Sequence, residues 1–289
     1  MHVLRRNKLA CYLFVVPAFL IFTYFIFGSV LMTIYYSMTK WKGLGSPEWR
    51  GLDNYTKLFQ IEDFQMVMRN NLMGLVIALI IQLSLGLIFA YLIYRTVRGM
   101  RIFRSLSFLP VVMSGATVGL IFFLLFDGNL GPVNNVLKAM GLESWTRNWL
   151  SDGNTIFYVV LTPMIYQFIG MYILILLAGM QGIPEEIIES AQIDGANSFR
   201  IFQNVVVPSQ ADIILMCAVM ITSGSFKAFE HSWVMTGGYS MRGAFLGVYM
   251  YTSTFQSSNF GRGSALAIVI LFCSLAFTLI LQRIAKYYE

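Results

Sequence analysis

The chain has 289 residues, 57% of them hydrophobic and only 12% charged, with a formal net charge of +6. A soluble domain carries about 25% charged residues, so this chain has too few to coat a water-facing surface, and its mean hydropathy of +0.68 leaves a membrane-embedded helical bundle. The positive balance is not a nucleic-acid footprint, because its densest basic clusters sit beside apolar runs, where they set membrane orientation.

The first element is an apolar run over residues 9–35, preceded by Arg5, Arg6 and Lys8. It is longer than the roughly 7–15 residues of a signal-peptide core and lacks a small-x-small cleavage site, so it reads as a retained span. Further neutral runs near the 20 residues that a crossing needs cover residues 72–94, 106–126, 156–180 and 263–281. A sixth candidate, residues 211–226, contains Asp212 and is closed by Lys227; alone it suits either a short span or a buried core helix. Cys11, Cys217 and Cys273 are dispersed inside these runs and read as packing residues, not as a disulfide or metal set.

Orientation follows from the basic residues. Residues 95–104 carry four arginines and no acid, the N-terminus carries the basic trio, and the C-terminus carries Arg283 and Lys286. Six spans put all three segments on the cytoplasmic face, whereas five would export the last. The expected fold is therefore an all-α membrane protein with six transmembrane helices and both termini cytoplasmic. A cytoplasmic N-terminus over residues 1–8 precedes a single transmembrane domain over residues 9–289. Residues 41–70, 127–155 and 227–262 fall outside.

Residues 181–210 fall inside and break the charge rule, since Glu185, Glu186, Glu189 and Asp194 oppose only Arg200. Pro184 suits a first helical turn, with Glu185 and Glu186 at the positive end of the helix dipole. Ile187, Ile188 and Ala191 recur at helical spacing, and Gly195 can take the left-handed conformation that ends a helix. Asn197 or Ser198 can cap a second short helix bearing Phe199, Phe202 and Val206. On composition alone, the same residues also suit an ordinary interfacial loop.

The spacing Glu189-Ser190-Ala191-x3-Gly195-x9-Val205-x-Val207-Pro208 resembles the EAA motif of ATP-binding-cassette importer permeases, Glu-Ala-Ala-x3-Gly-x9-Ile-x-Leu-Pro. The flanking Ile193-Asp194-Gly195-Ala196 matches the family's usual Ile-Asp-Gly-Ala. The resemblance implies a coupling segment seated in a cleft of a cytoplasmic ATPase subunit. Phe199 and Phe202 would be its apolar anchors, Glu189 would offer a carboxylate to a basic group, and Gly195 would permit the tight turn. Ser190, Ala191, Asp194, Ala196, Arg200 and Pro208 would complete the docking element.

Other segments resemble the maltose-permease type. Gly51-Leu52-Asp53-Asn54-Tyr55-Thr56-Lys57-Leu58-Phe59 is similar to that group's Gly-Leu-x-Asn-Tyr-x-x-Leu-Phe, and Arg104 through Pro110 is similar to the start of its third span. Thr236-Gly237-Gly238 and the stretch from Tyr249 to Gly261 are similar to its last external segment, although Tyr239-Ser240 stands where the group usually has proline. The resemblance runs from about Tyr12 to the end. It implies a multi-pass protein of a prokaryotic cytoplasmic membrane that carries a sugar or oligosaccharide. It also implies a second homologous permease, two ATPase subunits and an external solute-binding protein, with ATP and magnesium held by the ATPase and no cofactor on this chain.

Polar groups inside spans are costly unless they face a cavity or a partner helix. Thr162, Tyr166, Gln167 and Gly170 form one polar-to-small stripe, and Thr222, Ser225, Phe226 and Phe229 lie on or near one face of the next span. An aromatic ring beside hydrogen-bonding groups suits a sugar, and these eight are the expected substrate pathway. The same types also serve as hydrogen bonds between helices. Lys227, Glu230 and His231 read as a solvated outer rim, and Gly86 with Ala90 and Gly263 with Ala267 as close helix contacts.

Other classes lack their signatures. There is no Gly-x4-Gly-Lys-Ser/Thr, so ATP hydrolysis belongs to another chain. The confidently neutral spans hold no carboxylate or basic group for ion coupling, and His2 and His231 fall on opposite faces. A permease for amino acids or peptides is the alternative, sharing the insert but not the Asn54-Tyr55 or Thr236-Gly237-Gly238 segments.

Overall fold

The computed structural model describes residues 8–95 and 100–288, with side chains over 12–95 and 102–286. His2, Arg5, Arg6 and Arg98 lie outside the described residues, as do the side chains of Lys8, Cys11 and Arg101. In chain order the helices are α1 (Lys8–Phe22), α2 (Gly28–Ser37), α3 (Asp53–Gln60), α4 (Glu62–Arg95), α5 (Met100–Val112), α6 (Gly115–Leu125), α7 (Pro132–Ala139), α8 (Ile156–Met180), α9 (Glu185–Ile193), α10 (Ser198–Ile201), α11 (Val207–Ser209), α12 (Ala211–Phe226), α13 (Glu230–Thr236), α14 (Leu246–Tyr251) and α15 (Phe260–Tyr288). Among the described residues, five helices are long and apolar enough to cross a membrane, and six if one bent pair counts as a single span.

That bent pair corrects the expected straight crossing over residues 106–126. The chain turns by 96° between α5 and α6, with Ser114 extended at φ −62°, ψ 137°. A break inside the membrane frees backbone groups that water cannot satisfy. Here Gln167 donates from Nε2 to the Met113 carbonyl at 2.8 Å, so a side chain from another helix replaces the lost bond.

The contacts divide the chain into two units. The first comprises residues 1–60 and 250–269. Within it α1 and α2 are joined by a π-turn at Thr23–Phe27, and the apolar window of this span has no buried residue. A short antiparallel pair, β1 (Thr39–Lys40) and β2 (Glu48–Trp49), follows it. The Asn54-Tyr55 pair has a structural task here. Asn54 Nδ2 donates to the carbonyls of Ser37 and Thr39 at 2.7 and 2.8 Å, and the Tyr55 hydroxyl donates to Ser37 Oγ at 2.7 Å. Together they fasten α3 to the end of the first span. Gly263, expected to make a close helix contact, leaves room for the Thr254 side chain of the helical segment that continues α14.

The second unit comprises residues 61–249 and 270–289. Its axis is α4, whose buried Gly74, Ala78, Gln82, Gly86 and Ala90 recur every four residues along one stripe. Such spacing keeps small groups on one helix face and lets backbones approach closely. At Gly86 a Cβ would lie 3.1 Å from Leu176 Cδ1 of α8, which is the close contact expected there. The opposite face, with Val76, Ile80, Leu92 and their neighbours, is exposed and apolar, as a lipid-facing surface is. α8 packs along α4, α12 lies against both, α5 crosses α8, and α6 packs on α13. Cys217 is buried and Cys273 half-buried, both as free thiols.

Candidate functional site

The insert forms two helices at a sharp elbow. Asp194 ends α9, Gly195 has φ +79°, and the amides of Gly195 and Ala196 donate to the carbonyls of Gln192 and Ala191, each at 3.0 Å. This pair of bonds is a Schellman ending, which a residue without Cβ adopts freely. Pro184 stands just before α9 in extended backbone (ψ 132°), one step earlier than the expected first turn. Asn197 caps α10, accepting from the Arg200 amide at 2.9 Å.

The insert presents two different faces. Ala191 and Ala196 pack on the apolar core beside Ile201 and Val206. Glu189, Ser190, Asp194, Gly195, Arg200 and Pro208 are exposed, and Phe199 is 68% and Ile193 86% exposed. Phe202, expected to share the outward role of Phe199, points inward, its ring 4.9 Å from that of Tyr91 on α4. A π-turn over Phe202–Val206 begins at that residue.

A cavity of about 220 Å³ lies between α4, α8 and α12. Its wall is mostly apolar, with Met164, Phe168, Met171, Met220 and Phe245 among the lining side chains. The polar exceptions are Gln82, Tyr172, Ser225 and His231. Of the eight expected pathway residues, one, Ser225, lines it. Thr162 is turned away, its hydroxyl donating to the Tyr158 carbonyl at 2.9 Å. Tyr166 is half-exposed against Phe122, with ring centroids 5.4 Å apart. Gly170 is buried where α5 crosses, so close that a Cβ would overlap the Ser107 carbonyl oxygen. Thr222 donates within its own helix to Ala218 at 2.8 Å and is fully buried. Phe226 packs on Phe277, and Phe229 stacks on Trp233.

His231 corrects the expected solvated rim. Lys227 and Glu230 are exposed, but His231 is only 6% exposed and lines the cavity. Its Nε2 donates to Gln167 Oε1, whose amide in turn holds the Met113 carbonyl at the bend. Gly119 makes room for it, since a Cβ there would lie 3.2 Å from His231 Cα. The break after α12 is what returns His231 toward the interior.

Sequence reasoning missed a second polar group, on α4. Asn70 Nδ2 donates to the carbonyls of Met241, Arg242 and Ala244 at 3.2, 3.0 and 3.0 Å. Asn71 donates to the Ser225 carbonyl at 3.1 Å and accepts from the Leu246 amide at 3.0 Å. One buried amide thus holds both the cavity wall at Ser225 and the segment that follows α13. Two consecutive asparagines entering an apolar run were the available signal, because each side-chain amide must find partners once buried.

A profile of the family described as binding-protein-dependent transport system inner membrane component matches residues 82–289, which includes the insert, the cavity helices α8 and α12 and the last part of α4. The chain belongs to this family. It is a permease subunit of an ABC importer and a multi-pass protein of the cytoplasmic membrane. Relatives include the probable ABC transporter permease protein YurN of Bacillus subtilis, 32% identical over 98% of each chain. The multiple sugar-binding transport system permease protein MsmF of Streptococcus mutans is 30% identical over 98% of this chain and 97% of its own. The diacetylchitobiose uptake system permease protein NgcF of Streptomyces coelicolor is 29% identical over 90% and 76%. The same fold occurs in the crystal structure of a bacterial ABC transporter involved in the import of the acidic polysaccharide alginate, with a TM-score of 0.84, 20% identity and coverage of 99% and 98%.

Proposed function

We propose that this permease is one of two homologous membrane subunits of an ATP-driven importer for a sugar or oligosaccharide, with both termini in the cytoplasm. The observation that carries the docking half of this reading is the elbow at Gly195. It presents the exposed Phe199 and Ile193 among the exposed acids Glu189 and Asp194. An apolar knob ringed by carboxylates suits a cleft that is apolar at its floor and basic at its rim. The chain has no nucleotide-binding loop of its own, so the cleft belongs to separate ATPase subunits, which hold ATP and magnesium. An external solute-binding protein delivers the cargo.

The cavity supports the cargo half. Phe168, Tyr172 and Phe245 offer ring faces to the C–H face of a sugar, while Gln82, Ser225, Tyr172 and His231 offer hydrogen bonds at its rim. Two relatives carry saccharides in their names. Proteoliposomes holding this chain with the second permease, the ATPase pair and the loaded binding protein provide the test. ATP-dependent accumulation of a labelled saccharide is expected. Accumulation of amino acids or peptides in its place would overturn the cargo assignment, and ATP-independent flux would overturn the importer reading.

A further inference from the structure

Hydrogen bonds at three levels along its length tie α4 to α12, to α8 and to the insert. Near its start Asn71 donates to the Ser225 carbonyl of α12 at 3.1 Å, and in its middle Gln82 donates to the Ile165 carbonyl of α8 at 3.2 Å. Near its end the Tyr91 hydroxyl donates to the Ser198 carbonyl of the insert at 2.9 Å. Arg95 reinforces the last tie, donating to Ser198 Oγ with its guanidinium 6.0 Å from the centre of the Tyr91 ring. The same ring packs on Phe202.

The insert continues covalently into α8 and α12 but has no covalent connection to α4, which ends at Arg95, well before it in the chain. Yet α4 supplies Gly74, Ala78 and Gln82 to the cavity wall. At 1.5 Å per residue, Tyr91 stands about 14 Å along the helix from Gln82. The apolar core makes the same connection, since Ile201 and Val206 of the insert belong to one packed cluster with Ala78, Tyr172 and Ile221 of the wall. Close-packed interiors transmit displacement instead of absorbing it. The two halves of the insert are attached differently: α10 is hydrogen-bonded to α4, whereas α9 reaches the apolar core through Ile188 and Ala191 and leaves Glu189 and Ile193 outward.

We infer that Tyr91 is the positioning residue that makes α4, and with it one wall of the cavity, follow the insert when the ATPase moves it. The inference rests on the docking role proposed above. Without this strut, α4 follows the insert only indirectly, through α8, α12 and the shared core, so hydrolysis proceeds with a smaller change of the cavity.

The test uses the complete importer in proteoliposomes and reads substrate imported per ATP hydrolysed. Tyr91→Phe removes the hydroxyl and keeps the ring, and should lower this ratio about fivefold, the weight of one hydrogen bond. ATP hydrolysis and the melting temperature in detergent should stay near wild type. Tyr91→Ala should lower the ratio further. A second arm joins positions 91 and 202 by a short bifunctional thiol reagent in the double variant Y91C/F202C. Uptake should survive the bridge, because the two positions move as one. An unchanged ratio in both single variants, or loss of uptake on bridging, would overturn the inference. If the wild-type chain fails to bind any ATPase, the docking role itself falls, which a pull-down reports independently of the ratio.

Discussion

Gly195→Val should abolish uptake while leaving the protein in the membrane, and Gly195→Asn should retain most of it. The reason is backbone conformation alone. At φ +79° an L-residue pays about 1–2 kcal/mol, and a β-branched one more, whereas asparagine visits this region routinely. No atom lies within 4 Å of the place a Cβ would occupy, so neither variant meets a steric obstacle. Valine therefore opens the Schellman ending and changes the angle between α9 and α10, moving Phe199 relative to Glu189. Membrane fractionation with uptake assays separates this outcome from misfolding. Equal loss in the asparagine and valine variants would show that the position acts through something other than its backbone.

Gly170→Ala should cost folded protein instead of transport specificity. Its absent Cβ is the space in which the Ser107 carbonyl sits, with the carbonyl carbon 2.5 Å and the Phe108 nitrogen 3.4 Å from the point a methyl would take. These are backbone atoms of a crossing helix and cannot rotate aside. Overpacking of this kind costs typically about 1–3 kcal/mol, and here α5 must shift as a whole. A lower melting temperature in detergent and a reduced yield are the expected readings. Wild-type stability in the alanine variant, with altered substrate preference, would instead return Gly170 to the pathway.

These two glycines show what was legible and what was not. The elbow could be read because a helix ending is local: Asp194, Gly195 and the cap at Asn197 are decided by neighbours in the chain. The role of Gly170 could not, because its partner Ser107 lies on another helix and composition does not say which face of a span turns inward. The same limit explains the pathway residues. Hydroxyl and amide types mark a span as polar in places, but Thr162 and Thr222 spend their hydroxyls on their own helices. Among the groups that do reach the cavity, Gln82 and His231 come from a long apolar run and from beyond a helix break. Hydropathy likewise ran straight through Met113, where the chain turns by 96°, because a bend satisfied by Gln167 leaves no trace in the apolarity of the segment. Two residues quoted as family markers, Asn54 and Tyr55, are a latch on the end of the first span, which gives their type and spacing a physical reason.

In the proposed docking role, the insert meets the ATPase through its outward face at the elbow. This role is tested most directly by photo-cross-linking in the assembled importer, with a photoreactive phenylalanine analogue placed at position 199 or at position 202. Phe199 is exposed and Phe202 is packed on Tyr91. An adduct with the ATPase subunit is expected from position 199, and an adduct within this chain from position 202. An ATPase adduct from position 202 with none from position 199 would contradict that role.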